Sequence, residues 1–245
     1  MSERSKLSGS PKLFQAHDLQ TGEIPRIDYH VHTNWTDGSD GTAAVHKAAM
    51  KCGLDAILFS EHARKSSGDW FPEFAREVRA LPQDRCRSFV GVESKVDDFD
   101  GALDCSPAII ELCDLVMASV HRFPGETGTV HGNTNDYSAE DAIDIEYRLS
   151  CAVLENPAVD ILGHPFGMSL RRFKTDPSER LVRDVIARAA RNGVAFEINA
   201  HYHPDPWRLL VLCGEAGATI SLGSNAHHPT EVGTIARLLK AATAA

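Results

Sequence analysis

The chain has no apolar run of the roughly 18 residues that a membrane-crossing helix needs, and its opening, MSERSKLSGSPKLFQ, lacks the apolar core of a signal peptide. These two absences predict a cytoplasmic protein without membrane contact. Its six cysteines, Cys52, Cys86, Cys105, Cys113, Cys151 and Cys213, include no Cys-x-x-Cys pair. That argues against a zinc ribbon or a disulfide framework and for reduced thiols that pack as small hydrophobes. Positive charge is also short: 25 Lys and Arg against 34 Asp and Glu give a formal net charge of −9. A general attraction to nucleic acid is therefore disfavoured, and a phosphate-bearing ligand must be held by local cations. No internal repeat or low-complexity tract interrupts the chain. What the sequence does have is length enough for one sizeable core, 245 residues at 42% hydrophobic, and twelve histidines.

Residues 1–24 read as a polar lead-in without sustained periodicity, and residues 25–245 as one domain. From Ile24 onward short apolar runs alternate with segments of helical period. Strands are expected over 26–30, 54–60, 88–93, 115–121, 160–164, 194–199 and 218–224. Helices are expected over 42–52, stopping before Gly53; over 138–154, where Ser138-x-x-Asp141 has the form of a capping box; and over 177–191 and 231–244. Such alternation implies a parallel sheet, and seven units of it fit a closed or nearly closed α/β barrel better than an open sheet.

Most expected strands end in groups able to bind a metal or move a proton. The first ends in His30-Val31-His32, the second in Glu61-His62, the third in Glu93, the fourth in His121, the fifth in His164, the sixth in Glu197-x-Asn199, and the last in Asn225-Ala226-His227. In an α/β barrel these ends share one mouth. Residues i and i+2 of a strand face the same side, so His30 and His32 can reach one ion. A single His-x-His is weak, since strand histidines are more often core or surface residues. Six of the twelve histidines at strand ends with a glutamate are another matter, because so many buried nitrogens without a ligand would stay unpaired.

The motifs DYHVHTNWTDG, LFSEH, GVE, ASVH, LGHP and SNAH, in this order over residues 28–227, resemble those of the PHP (polymerase and histidinol phosphatase) superfamily. The resemblance implies a distorted seven-stranded, TIM-like (β/α)7 barrel that holds two to three divalent ions (zinc, manganese or iron) and hydrolyses phosphate esters with metal-activated hydroxide. It also implies a grouping of ligands: His30, His32, Glu93 and Asn225 around one ion, Glu93 with His121 and His164 around a second, and Asp37, His62 and His227 around a third. Asp37 and Glu93 thereby take part in catalysis as well as in binding. Asn225 departs from the family, which usually has aspartate there; an amide oxygen can ligate but brings no charge.

Cations near these strand ends are candidates for phosphate recognition: Arg64 and Lys65 after His62, and Arg171, Arg172 and Lys174 after His164-Pro165. Arg171 and Arg172 are the foremost, because a guanidinium fork can bind phosphate through two hydrogen bonds; solvated surface charge is the alternative. His201 and His203 are candidates for a proton donor or a substrate contact, with His201 taken as catalytic, or else for plain loop residues. His17, His46 and His131 are taken as structural. The Gly-, Thr- and Asn-rich stretch 123–137 has the length of a substrate lid or of an inert loop.

Three readings compete. The favoured one is a histidinol-phosphatase-like hydrolase acting on a small phosphorylated substrate, a reading that the acidic charge and the lack of a polymerase domain support. The second is a 3'-5' exonuclease or phosphodiesterase, since SVHRF, LENPAVDILGHP and EINAHY resemble the PHP domain of family X DNA polymerases as closely. The third is a non-catalytic binding module stabilised by metal. An amidohydrolase barrel also begins with His-x-His, but it would carry a metal-bridging lysine, to which Lys95, two residues past Glu93, is the nearest approach.

Overall fold

The computed structural model describes residues 9–124, 126 and 137–243. Along the chain run β1 (Phe14–Gln15), α1 (Ala16–Thr21), β2 (Ile27–Val31), α2 (Thr42–Lys51), β3 (Ala56–Glu61), α3 (Phe71–Arg79), β4 (Arg87–Lys95), α4 (Pro107–Leu112), β5 (Leu115–Ser119), α5 (Ala139–Val153), β6 (Ile161–Gly163), α6 (Gly167–Arg171), α7 (Glu179–Asn192), β7 (Ala195–Asn199), α8 (Pro206–Glu215), β8 (Thr219–Gly223) and α9 (Thr234–Thr243). All seven expected strands and all four expected helices are present, within a few residues of the expected ends. The short α1, α4 and α6, together with α3 and α8, were not foreseen.

The strands form one eight-stranded sheet in the order β1-β8-β7-β6-β5-β4-β3-β2, not the seven-stranded barrel expected. From β2 to β8 every pairing is parallel. The sheet curls until its edges meet near the C-terminal strand ends: Val31 bridges Ala226, with the His32 N–H donating to the Ala226 carbonyl at 2.8 Å and the Ala226 N–H to that of His30 at 3.1 Å. Lower on the same edge of β8 the extra strand β1 pairs antiparallel, Phe14 against Ile220. Part of the expected lead-in is therefore ordered, and α1 buries Ala16 and Leu19. Two residues of strand are too few to show a period, and their partner lies some two hundred residues along.

Strands β2, β3, β5, β6 and β7 are buried along their whole length. That is why they read as continuous apolar runs: helices cover the outside and packed side chains fill the inside. Phe59, Phe196 and Leu162 are essentially inaccessible, each contributing on the order of 1.5–3 kcal/mol by burial. Helix α5 starts at the capping box read from sequence, with Asp141 N–H donating to Ser138 Oγ at 3.1 Å and Ser138 N–H to the Asp141 carboxylate at 3.1 Å, an arrangement worth about 1 kcal/mol. Helix α7 stops at Gly193, which adopts the left-handed φ of 69°. All six cysteines are free. Among the described residues no helix is long and apolar enough to cross a membrane.

Candidate metal centre

At the C-terminal mouth of the curled sheet, Glu93 of β4 lies at the middle of five imidazoles. Its Oε1 stands 2.9 Å from His121 Nε2 and 2.8 Å from His164 Nε2. Its Oε2 stands 3.2 Å from His30 Nε2, 3.5 Å from His32 Nε2 and 3.1 Å from His62 Nδ1. Asp37, on the loop after β2, reaches His62 at 3.3 Å, His227 at 3.4 Å and His32 at 3.9 Å. Among the described residues three groups are compact enough for an ion: His32, Asp37, His62 and His227; His30, Glu93 and His164; and His62, Glu93 and His121. The sequence-derived residues thus converge, but the partition shifts, with His32 leaning toward Asp37 and His164 toward His30. Asn225 joins through Oδ1, 3.3 Å from His32 Nε2.

Local sequence explains how each group is aimed. Val31 between the two histidines turns away from the cluster while His30 and His32 share the inner face of β2. Asp37 is presented by a loop anchored on the buried Glu61, which accepts from Thr33 N–H at 2.7 Å, Thr33 Oγ1 at 2.6 Å and the Thr36 hydroxyl. Burial pushes the Glu61 carboxyl up to about 7, against these hydrogen bonds. His227 donates from Nδ1 to the Asn225 carbonyl at 3.0 Å, leaving Nε2 open toward Asp37. His164 and Asn225 both take positive φ, 25° and 54°, a backbone state that is sparsely populated and found most often where function fixes it.

The donor set fits divalent transition ions. His30 Nε2, His32 Nδ1 and Glu93 Oε2 are buried without a hydrogen-bond partner among the described residues, whereas buried polar atoms are almost always paired. Imidazole and carboxylate together suit zinc, manganese or iron. Electrostatics point the same way. Burial disfavours charge on His30, yet Glu197 and Glu93 outweigh it and hold the imidazolium well above its ordinary range. Burial and the neighbouring His62 drive His32 well below. Burial would raise Glu93, but His121, His30 and His62 hold it well below the usual carboxylate range. Burial would lower His62 as well, but Glu93 and Asp37 push it up to about 10. The protons on His30 and His62 thus stand where cations belong, and ion binding would release them.

A cavity of about 440 Å³ opens over this cluster, lined also by Arg64, Lys95, Arg122, Met168, His201 and Tyr202. Lys95, Arg122 and Tyr202 were missed as site residues, although Lys95 is two past Glu93 on the same strand face and Arg122 directly follows His121. Arg172 is held away: its fork is bound by Glu126 at 2.7 and 2.9 Å. Arg171 is exposed at the end of α6 and outside the cavity lining. Lys65 pairs with Asp97 at 2.9 Å and Lys174 is exposed. His203 is buried and structural: Nδ1 accepts from the Asn199 N–H at 3.0 Å and Nε2 donates to the Pro165 carbonyl at 3.1 Å, and burial lowers its pKa to about 4. His46 donates to the Cys86 carbonyl at 2.9 Å, and His17 is exposed. His131 and most of the stretch 123–137 lie outside the described residues. A larger cavity of about 1120 Å³ at the opposite end, beside Lys12, Tyr29 and Arg87, has no metal-binding group among the described residues.

Residues 28–201 match the PHP domain. The chain belongs to the PHP domain family. PHP-domain relatives include the DNA polymerase/3'-5' exonuclease PolX of Bacillus subtilis, 26% identical over 227 residues, with 86% of this chain aligned to 35% of that protein, so this chain spans about a third of its length. A probable phosphatase of Syntrophotalea carbinolica is 26% identical over 232 residues, covering 89% of this chain and 87% of that one. Among solved structures, histidinol phosphate phosphatase of Lactococcus lactis, crystallised with zinc, L-histidinol and phosphate, superposes with a TM-score of 0.63 at 19% identity, over 88% of this chain and 93% of that one. At that identity the likeness extends to the fold.

Proposed function

We propose that the protein is a metal-dependent hydrolase of phosphate monoesters. The observation that carries this reading is Glu93, one buried carboxylate shared by five imidazoles, with three buried ligating atoms, His30 Nε2, His32 Nδ1 and Glu93 Oε2, left without hydrogen bonds among the described residues. His30, His32, Asp37, His62, Glu93, His121, His164, Asn225 and His227 would hold two to three divalent ions. Bound there, such ions would polarise phosphoryl oxygens and make water more acidic. The chain's own cations would orient the ester. Arg64 and Arg122 face the cavity, as does Lys95, which is held by Asp97 at 2.8 Å, with Arg171 more peripheral and Arg172 engaged by Glu126. His201 lines the cavity, and burial together with Arg171 lowers its pKa. It is then mostly neutral near pH 7, which suits a hydrogen bond to the leaving oxygen better than proton donation. The Tyr202 phenol is pushed up by burial with Glu93 and Glu197 nearby and stays protonated, so it can donate a hydrogen bond but cannot act as a base near neutral pH.

The named relatives support a phosphatase, and the zinc and phosphate in the Lactococcus structure support this ligand chemistry. The PolX relative, aligned over most of this chain, favours a second reading as a phosphodiesterase or exonuclease. Assays of zinc-, manganese- and iron-reconstituted protein on p-nitrophenyl phosphate, bis-p-nitrophenyl phosphate and a single-stranded oligonucleotide separate the readings. Turnover of the monoester is expected. Preference for the diester or oligonucleotide would favour the second, and no turnover with any metal would leave a metal-stabilised binding module.

A further inference from the structure

We infer that Glu197 is a positioning residue that fixes the metal-binding form of His30 and the bent backbone carrying His164. The inference rests on the metal-centre reading above and adds to it a residue outside the ligand set. Glu197 is on β7, fully buried, with both carboxylate oxygens occupied. Oε1 accepts from His30 Nδ1 at 2.7 Å and from Asn199 Nδ2 at 2.9 Å; Oε2 accepts from the His164 N–H at 2.5 Å.

Each bond has a consequence for the cluster. An imidazole that donates from Nδ1 to a carboxylate has its Nε2 free to ligate, and the carboxylate makes that nitrogen more basic. Nε2 of His30 is the atom that faces Glu93 at 3.2 Å with no hydrogen-bond partner. The second oxygen grips the peptide of His164, whose φ of 25° is one that L residues rarely adopt, so the same carboxylate holds a neighbouring strand end in the shape that directs His164 at Glu93. The pocket around it is cut to size. A side chain at Gly223 would collide with the Glu197 carboxylate and with Cβ of His30, so glycine there leaves room for this contact. A carboxylate placed only for stability would have no need to bond one ligand's ring and another ligand's backbone at once.

Glu197→Gln is a sharp probe, because both oxygens accept from N–H groups. Whichever way the amide turns, its NH₂ meets a donor: against the His164 N–H it repels, and against His30 Nδ1 it forces the proton onto Nε2, the atom needed for the metal. Zn(II) is titrated by calorimetry into chelator-stripped wild-type protein, Glu197→Gln and the matched control Glu146→Gln, which alters another fully buried carboxylate that touches none of the proposed ligands. Glu197→Gln is expected to weaken binding roughly 10- to 100-fold, with Glu146→Gln unchanged. In zinc-loaded wild type, nitrogen-15 NMR of labelled histidine is expected to show a hydrogen-bonded proton on His30 Nδ1. A folded Glu197→Gln protein with parental affinity overturns the inference. Should that variant fail to fold, a His30 that carries no Nδ1 proton in the zinc-loaded wild type overturns it alone. Wild type that binds no zinc overturns the metal-centre reading and this inference together.

Discussion

Glu146 offers a test of how the protein tolerates a buried carboxyl beside its mouth. It is on α5, fully buried, and accepts from Met168 N–H at 3.0 Å, Ser169 N–H at 2.7 Å and Ser169 Oγ at 2.6 Å, so it anchors the start of α6 just past His164. Burial raises its pKa from 4.5 to about 7, the hydrogen bonds recovering only part. A carboxyl whose folded pKa is raised contributes stability that is fully present below its unfolded pKa and is lost as pH rises through the folded one. The window here runs from about pH 4.5 to about pH 7, and the total loss across it is on the order of 3 kcal/mol. Glu146→Gln cannot ionise, and the cost of turning its amide NH₂ against one of these donors does not depend on pH. Melting temperatures of wild type and variant, both stripped of metal, are measured from pH 4.5 to 8, and only their difference is used, so the histidine titrations not coupled to Glu146 cancel, while the charge of His164, which lowers the Glu146 pKa, stays in the difference. The wild type is expected to lose ground to the variant as pH rises, by roughly 2–4 °C per kcal/mol for a chain of this size, with the change complete slightly above pH 7. A difference that stays flat across the window would refute the reasoning and mean that the three donors hold Glu146 ionised throughout.

Glu93→Ala should remove two ions at once and His227→Ala one, read by elemental analysis of protein grown in metal-supplemented medium; less than one equivalent in the wild type would end the multinuclear proposal. Asn225→Asp should bind its ion at least tenfold more tightly, about 1.4 kcal/mol, since aspartate tolerates the positive φ as asparagine does and adds a charge beside His32; equal or weaker binding in a titration would take residue 225 out of the ligand set. Arg172→Ala should cost about 1.5–3 kcal/mol in a denaturant melt through the lost Glu126 pair with KM unchanged, whereas Arg64→Ala or Arg122→Ala should raise KM for a phosphate monoester about tenfold with parental stability. If the Arg172 variant alone changes KM, the phosphate site has been drawn on the wrong side of the mouth.

The sequence by itself determined the strands and the groups at their ends. A parallel strand buried on both faces is largely apolar, so each announces itself as a short run, and a ligating side chain stands at or near its C-terminal end, as in LFSEH or LGHP. Position in such a run is local information. What only tertiary structure decided depends on pairs far apart in the chain. The two residues of β1 are a strand because β8 offers an open edge there. Arg171 and Arg172 read as equals in sequence, yet Glu126 takes the fork of Arg172, while Arg122, unremarkable in sequence, and Lys95, weighed there only as a bridging lysine, face the cavity. His201 and His203 read alike as loop histidines, with His201 preferred as catalytic, and the peptide of Asn199 and the Pro165 carbonyl hold the second as a buried structural ring. Glu197 could be seen to stand at a strand end, but that it grips both the His30 ring and the His164 backbone depends on the absence of a side chain at Gly223. A carboxylate's role is set by the donors that surround it, and curling the sheet is what brings those donors together.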